Sequence, residues 1–194
     1  MTIKLEGENR IYCVVIMTGT GPRRPNREVE LDDIIWQGVL DGADDALDVL
    51  LKTHLALEAI LIELIAPSQS SDGYLRWGFP KKTEFLAGSG AIQQSDKQAF
   101  DRLNDMRNDT AHIFGHKISV ADALALARDL EALGIDFSDS MGHYSEETAI
   151  EYYDGLRGIM AEIGWCVLFH AAFALQEAGG RDIFSGENSE ATTV

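Results

Sequence analysis

The sequence has few of the residues that mark a secreted or membrane-spanning protein. Only two cysteines occur among its 194 residues, and Cys13 and Cys166 have the spacing of neither a metal site nor a redox pair. No uninterrupted apolar run reaches the 18 or so residues that cross a bilayer, and no segment resembles a secretory signal. We therefore expect a soluble, cytoplasmic protein with reduced thiols and no membrane contact.

Basic residues are also scarce, with 16 Lys and Arg against 32 Asp and Glu and a net charge of −16. Indiscriminate nucleic-acid binding requires basic side chains that neutralise phosphates, so this charge argues against it. The charge is unevenly distributed, because residues 74–128 hold eight Lys and Arg against six Asp and Glu, while the remainder carries −18. An anionic ligand is therefore expected to bind the middle of the chain.

One N-terminal segment has the composition of a β-strand. Residues 10–17 are rich in β-branched and aromatic side chains, and the turn that follows at 18–22 contains glycine and proline. This turn lacks the Gly-Lys-Ser/Thr ending of a phosphate loop, so we expect no nucleotide cofactor there. The strand can pair with residues 27–31, pair with a second subunit or pack as an extended arm, and the sequence leaves these three open.

The rest of the chain has apolar residues at three- and four-residue spacing, which is typical of amphipathic helices. Proline, glycine and capping residues indicate where these helices begin and end. The first predicted helix lies within 43–66 and ends before Pro67, and a short second one is introduced by Pro80 and closed by Gly88 and Gly90. The remaining predicted helices are one that begins near Asp96 after a Ser95 and Gln98 capping box, one from Val120 to Gly134 after Ser119 and Asp122, and a final one of more than thirty residues from Ser145 to Gly179.

This pattern predicts an all-α fold, an antiparallel four-to-five-helix up-and-down bundle with a short N-terminal strand-like arm. We assign residues 1–42 to the arm, 43–180 to the bundle and 181–194 to a disordered polar tail. Trp165, Phe169 and Phe173 fall outside the apolar stripe of the final helix. Self-association would cover them, so we expect a homodimer whose interface draws on the second and fourth main helices.

Two polar residues interrupt the apolar stripe of the first core helix. His54 and Glu58 are one turn apart on it, where a polar group is costly unless it is hydrogen-bonded. They either bond each other or a neighbouring backbone group, or line a site built around Arg107. The sequence leaves both interpretations open.

A second polar constellation consists of Arg107, Asn108 and His112, close together on one helical segment. Arginine can bind phosphate or carboxylate through two parallel hydrogen bonds, and histidine transfers protons near neutral pH. Five residues separate the arginine from the histidine, so their side chains lie about 140° apart on a straight helix. They converge only if the arginine reaches around, the helix ends near His112, or a second subunit contributes. Alternatively, Arg107 is paired with a carboxylate in the bundle and His112 caps a helix end.

The segment 103–112 (LNDMRNDTAH) resembles the Arg-x4-6-His signature of the HEPN superfamily, and residues 52–58, 79–86 and 118–119 add further similarity. The resemblance covers about 43–175. It implies a helical bundle that dimerises so that two motifs meet in a cleft, which in many members is a metal-independent ribonuclease site. His112 would then act as general acid or base, Arg107 would stabilise the transition-state charge, and Asn108 would orient the phosphate or the histidine.

Other residues are expected to bind substrate or support this motif, and no metal or cofactor is required because the ribose 2′-hydroxyl is an internal nucleophile. The supporting candidates are His54, Glu58, Lys81, Lys82, Arg102, His116 and Lys117. Mannitol-operon repressor proteins have a similar helix layout, which leaves a second interpretation open. In it, the chain is a non-catalytic regulatory or scaffold module that contacts a protein partner, and Arg107 and His112 are structural.

Overall fold

The computed structural model describes residues 45–112 and 116–184. This part of the chain is 76% helical and contains no strand, which confirms the predicted all-α class. The predicted arm and residues 185–194 lie outside the described ranges. The helices are α1 (Asp45–Ile65), α2 (Phe79–Ser89), α3 (Gln94–His112), α4 (Val120–Ala132), α5 (Glu146–Tyr153) and α6 (Leu156–Glu177), with short 3-10 turns at Ala66–Ser68, Asp72–Arg76 and Met141–His143.

Local capping groups set most helix ends where the sequence predicts them. The hydroxyl of Ser119 accepts from the backbone N–H of Asp122, whose carboxylate accepts from the Ser119 N–H, so α4 begins with a complete capping box. Gly90 ends α2 with a φ of 77°, a conformation that favours glycine. α3 begins at Gln94, close to the predicted start near Asp96, but Ser95 lies inside the helix and the carboxylate of Asp96 accepts from the backbone N–H of Gln93 at 2.8 Å.

The predicted single final helix is wrong, because the structure divides it into α5 and α6. Ser145 caps α5 as expected, accepting a hydrogen bond from the backbone N–H of Thr148. The chain then turns at Asp154 and Gly155, which have φ values of 57° and 93°. The left-handed region is accessible to aspartate and easiest for glycine, so this pair ends one helix and permits the next.

α6 packs against α1 and runs in the same direction. Gly164 lies against Thr53 near the middle of both helices, and Leu175 and Leu64 line one cavity further along. With α1, α3, α4 and α6 counted as the four main helices, an up-and-down order would make α1 and α6 antiparallel, so the observed direction departs from that order at α6. The turn at Asp154 and Gly155, together with the short helix α5, brings the chain back to the end of the bundle at which α1 begins.

α3 runs opposite to both of these helices. Its first turn contacts α6, where the Asp96 carboxylate and His170 Nε2 are 3.0 Å apart. Further along, Asn104 contacts His54 on α1. The core between the helices is apolar, and its largest fully buried side chains include Leu50, Leu57, Leu61, Phe100, Leu103, Leu130 and Ile159.

α6 has one buried and one exposed side. Its length and apolar composition would suffice to cross a membrane, but core helices of soluble proteins meet the same criteria, and 44% of its most apolar 18-residue stretch is buried inside the protein. Trp165, Phe169 and Phe173 are 53%, 53% and 55% exposed, which confirms that they lie outside the packed stripe. Phe184 joins them, with its ring 5.1 Å from that of Trp165. We call these four side chains the aromatic face.

The close approach of α1 and α6 at Gly164 gives a stability prediction. A Cβ atom there would lie 2.4 Å from Thr53 Oγ1, so Gly164→Ala should destabilise the fold by about 1–3 kcal/mol through overpacking. The matched control is Gly88→Ala in α2, where a Cβ meets nothing within 4 Å. This control should be neutral or stabilising by up to about 1 kcal/mol. Urea unfolding followed by circular dichroism measures both, and equal stability of the two variants would contradict the packing.

Candidate functional site

Three helices bring polar side chains together beside the Arg107 motif. His54 of α1 is 5% exposed, and its Nε2 lies 3.0 Å from Oδ1 of Asn104 on α3. The ring of Phe79, the first residue of α2, packs on the imidazole with a centroid separation of 4.7 Å. The histidine is therefore held in place from two sides, and its hydrogen bond connects α1 to α3 one turn before Arg107.

Burial lowers the pKa of His54 below its usual range. The hydrogen bond with Asn104 raises this pKa, while the nearby positive charge of Arg107 lowers it further. The charges of Glu58 and Lys82 also act on the ring, in opposite directions. His54 is therefore kept neutral near physiological pH, beside an arginine that is always charged.

Arg107 is half-buried and is held by its neighbour along the chain. Its Nη1 donates to Oδ1 of Asn108 at 3.0 Å. Its Nε is buried without a hydrogen-bond partner, and no carboxylate pairs with it among residues 45–112 and 116–184. Asn108 thus orients the arginine, whereas the resemblance implied that it orients phosphate or histidine. The buried ion pair that the structural interpretation of Arg107 requires is not found in the described ranges.

Glu58 has a partner of its own beside this group. Its carboxylate accepts from Lys82 Nζ at 2.7 Å, and the same ammonium donates to the backbone carbonyl of Trp77 at 2.6 Å. His54 and Glu58 therefore do not bond each other, and the charges of both Glu58 and Arg107 act on the His54 ring. Lys82 is only 1% exposed, so of its two expected roles, binding substrate or supporting the motif, its position fits only the second. Lys81 is the exposed member of the pair, with its Nζ 4.4 Å from the centre of the Trp77 ring.

His112 is the last residue of α3, and its side chain is exposed. Arg107 lies towards α1 on the same helix, in agreement with the separation of about 140° expected from helical geometry. Within one subunit the arginine is anchored in the bundle while the histidine faces outward.

The remaining candidates lie away from Arg107. Arg102 pairs with Asp129 of α4, its Nε 3.1 Å from Oδ2. Arg102 and His116 line a groove between α3 and α4 that also contains carboxylates, and Lys117 is exposed in the α3–α4 connection. Arg102 does not lie beside Arg107 within one chain, because five residues turn it about 140° around α3, and a supporting role for Arg102 and His116 stays a prediction. The acidic residues of that groove are Asp105, Asp109 and Asp122.

Asn104 is the site residue that sequence reasoning missed. It is 6% exposed and precedes Arg107 and Asn108 by three and four residues, which puts all three on one side of α3. A polar side chain next to the core residue Leu103 is a signal, since a buried amide requires a partner. The identity of that partner, His54, depends on how α1 and α3 pack.

No family model, no curated protein and no solved structure matches this chain. Among residues 45–112 and 116–184, no group of three or more His, Cys, Asp or Glu is arranged to hold a metal ion. The described site is a guanidinium braced by an amide and flanked by a neutral imidazole. Such a group is suited to bind a phosphate or carboxylate through charge-assisted hydrogen bonds.

The lowered pKa of His54 predicts a pH-dependent stability. Its ordinary pKa is 6.5 and its folded value is lower, so the unfolded chain takes up the proton first as the pH falls. The contribution of neutral His54 to the free energy of unfolding is complete above pH 6.5. It is lost as the pH falls from 6.5 towards the pKa of His54 in the folded protein, by at most about 1.4 kcal/mol per pH unit. His54→Gln should flatten this part of the curve of unfolding free energy against pH.

The control for this measurement is His143→Gln. His143 is an exposed histidine that pairs with Glu131 on another surface, so its replacement should leave the His54 contribution in place. Denaturant unfolding between about pH 5 and 8 covers the relevant range. A His54→Gln curve that falls as steeply as the wild-type curve would show that burial of His54 does not cause the dependence.

Proposed function

We propose that this chain is a homodimeric RNA-cleaving protein of the HEPN type that acts without a metal through Arg107 and His112. The observation that carries the proposal is the state of Arg107. Its guanidinium is half-buried, is braced by Asn108, and has no carboxylate partner in the described ranges. An arginine in this state is suited to bind a phosphodiester.

The proposed reaction uses the substrate's own nucleophile. The ribose 2′-oxygen attacks phosphorus, the bond to the 5′-oxygen of the next nucleotide breaks, and Arg107 stabilises the charge on the non-bridging oxygens. One copy of His112 accepts the proton of the 2′-hydroxyl, and a second copy donates a proton to the departing 5′-oxygen. The products are a 2′,3′-cyclic phosphate and a free 5′-hydroxyl.

The geometry of α3 supports the proposed dimer. Arg107 is anchored towards α1, while His112 is exposed at the helix end, about 140° around the axis. A second copy that approaches the C-terminal end of α3 supports the proposal, because it can bring its histidine to an arginine that the first copy's histidine does not face. We therefore place the dimer contact at this end of α3.

A second candidate function is a non-catalytic module that contacts a regulatory protein. The aromatic face favours it, since Trp165, Phe169 and Phe173 are each more than half exposed. Contiguous exposed apolar surface of this kind marks protein interaction sites. Under this interpretation Arg107 and its neighbours His54, Asn104 and Asn108 contribute to stability, and RNA is not a substrate.

Cleavage assays test the ribonuclease proposal directly. The full chain should cleave single-stranded RNA in excess EDTA and leave 2′,3′-cyclic phosphate ends, and both Arg107→Ala and His112→Ala should abolish cleavage. Low salt favours detection, because the net charge of −16 weakens RNA binding. Arg157→Ala and His143→Ala, two exposed sites elsewhere, are matched controls that should remain active. A strict requirement for added magnesium or manganese would contradict the mechanism.

The stability of the Arg107→Ala variant separates the two candidate functions, and light scattering tests the proposed dimer. If Arg107 serves a ligand, Arg107→Ala and His112→Ala should keep a nearly unchanged melting temperature, because no ion pair is lost. Deleting one member of a buried ion pair typically costs about 3–5 kcal/mol. Light scattering should show twice the chain mass of 21.3 kDa for wild type and both variants. A large loss of stability in Arg107→Ala, with RNA cleavage retained by His112→Ala, would favour the non-catalytic module.

A further inference from the structure

The aromatic face borders a pocket between α6 and the loop that follows α4. The pocket has a volume of about 380 Å³. The rings of Trp165, Phe169 and Phe173 and the carboxylates of Asp136 and Glu162 line it. Its remaining lining residues are Ser138, Cys166 and His170.

The charge of this pocket is negative and uncompensated. Its lining contains no lysine or arginine, and His170 is occupied by the buried carboxylate of Asp96, 3.0 Å away. Asp136 and Glu162 have no lysine or arginine partner in residues 45–112 and 116–184, and the only hydrogen bond to Glu162 in those ranges comes from Cys166 Sγ at 3.5 Å.

Burial and the nearby carboxylates change the pKa of the Cys166 thiol. Burial first, and then the charge of Glu162 with smaller contributions from other carboxylates, raises its pKa to about 12. A positive group in the pocket would be attracted by the charges of Asp136 and Glu162.

Charge argues against a second copy as the occupant of this surface. In a two-fold dimer the same patch meets itself, so the carboxylates of Asp136 and Glu162 would approach those of the other subunit. Like charges brought together out of water are costly. An anionic lipid surface would be repelled by the same groups. The homodimer expected from these aromatic residues is therefore better placed at the end of α3, away from the aromatic face.

A cationic side chain has the complementary chemistry. A guanidinium or ammonium group can stack on the exposed rings of Trp165 and Phe169 while pairing with a carboxylate at the pocket wall. Phe184 extends the aromatic surface beyond the pocket, its ring 5.7 Å from that of Phe169. The surface is thus larger than one side chain, and a peptide segment can cover it where a small free cation would leave it exposed.

We propose that the aromatic face and its pocket bind a basic segment of a partner protein, with an arginine or lysine side chain inserted between the rings and the carboxylates of Asp136 and Glu162. This surface shares no residue with the proposed RNA site. It is therefore independent of whether Arg107 and His112 cleave RNA.

The test uses the full chain and a fluorescein-labelled peptide of alternating arginine and leucine, with fluorescence anisotropy read at about 150 mM salt. The wild type should bind, and both Glu162→Gln and Trp165→Ala should weaken binding about tenfold. Glu151→Gln and Tyr152→Ala are the matched controls, because both residues are exposed on α5. These controls remove the same charge or a similar ring elsewhere and should bind like wild type.

Three outcomes would overturn the proposal. One is no binding by wild type, and another is an equal loss in Glu151→Gln, which would mean that the peptide responds only to overall charge. The third is dissociation of a wild-type dimer by Trp165→Glu in light scattering, which would make a second copy the occupant. RNA cleavage by Trp165→Glu is expected to match wild type. A loss of peptide binding therefore contradicts only this proposal, and a loss of RNA cleavage contradicts only the ribonuclease proposal.

Discussion

The buried ammonium group of Lys82 is the constraint on which the arrangement of α1, α2 and α3 depends. A charge that is 1% exposed is tolerated only when hydrogen bonds and an opposite charge replace its water. Glu58 of α1 and the carbonyl of Trp77 supply both, so α2 is held against α1. Phe79 then packs on His54, which faces Asn104 of α3, and Arg107 follows one turn later.

This arrangement explains how a chain with a net charge of −16 can present an arginine to an anion. The carboxylates of α3 nearest its C-terminal end, Asp105 and Asp109, line the groove towards α4. Arg107, Asn104 and Asn108 lie on the side towards α1, where Asn108 accepts a hydrogen bond from the guanidinium and the imidazole of His54 is neutral. Helical geometry therefore separates the two kinds of charge on one element, and the local environment of Arg107 differs in sign from the average of the protein.

α6 is divided in a similar way. One side is packed so closely on α1 that Gly164 leaves no room for a Cβ beside Thr53, and the other carries the aromatic face. The two proposed surfaces therefore differ in charge and in position, one positive on α3 and one negative on α6. A protein that binds RNA at the first and a basic segment at the second would fit both the catalytic and the regulatory interpretations.

The sequence by itself determined the helical class and most helix ends. The Ser119 and Asp122 capping box and the C-terminal Gly90 act within a few residues of chain, so local patterns suffice to predict them. The angle between Arg107 and His112 follows from helical geometry alone. The division of the final helix had a local signal, the Asp154–Gly155 pair, that the apolar periodicity concealed. Only tertiary structure decided that Lys82 is buried, that Asn104 meets His54, that Arg102 faces α4 and that α6 runs parallel to α1, because each depends on which distant residues pack together.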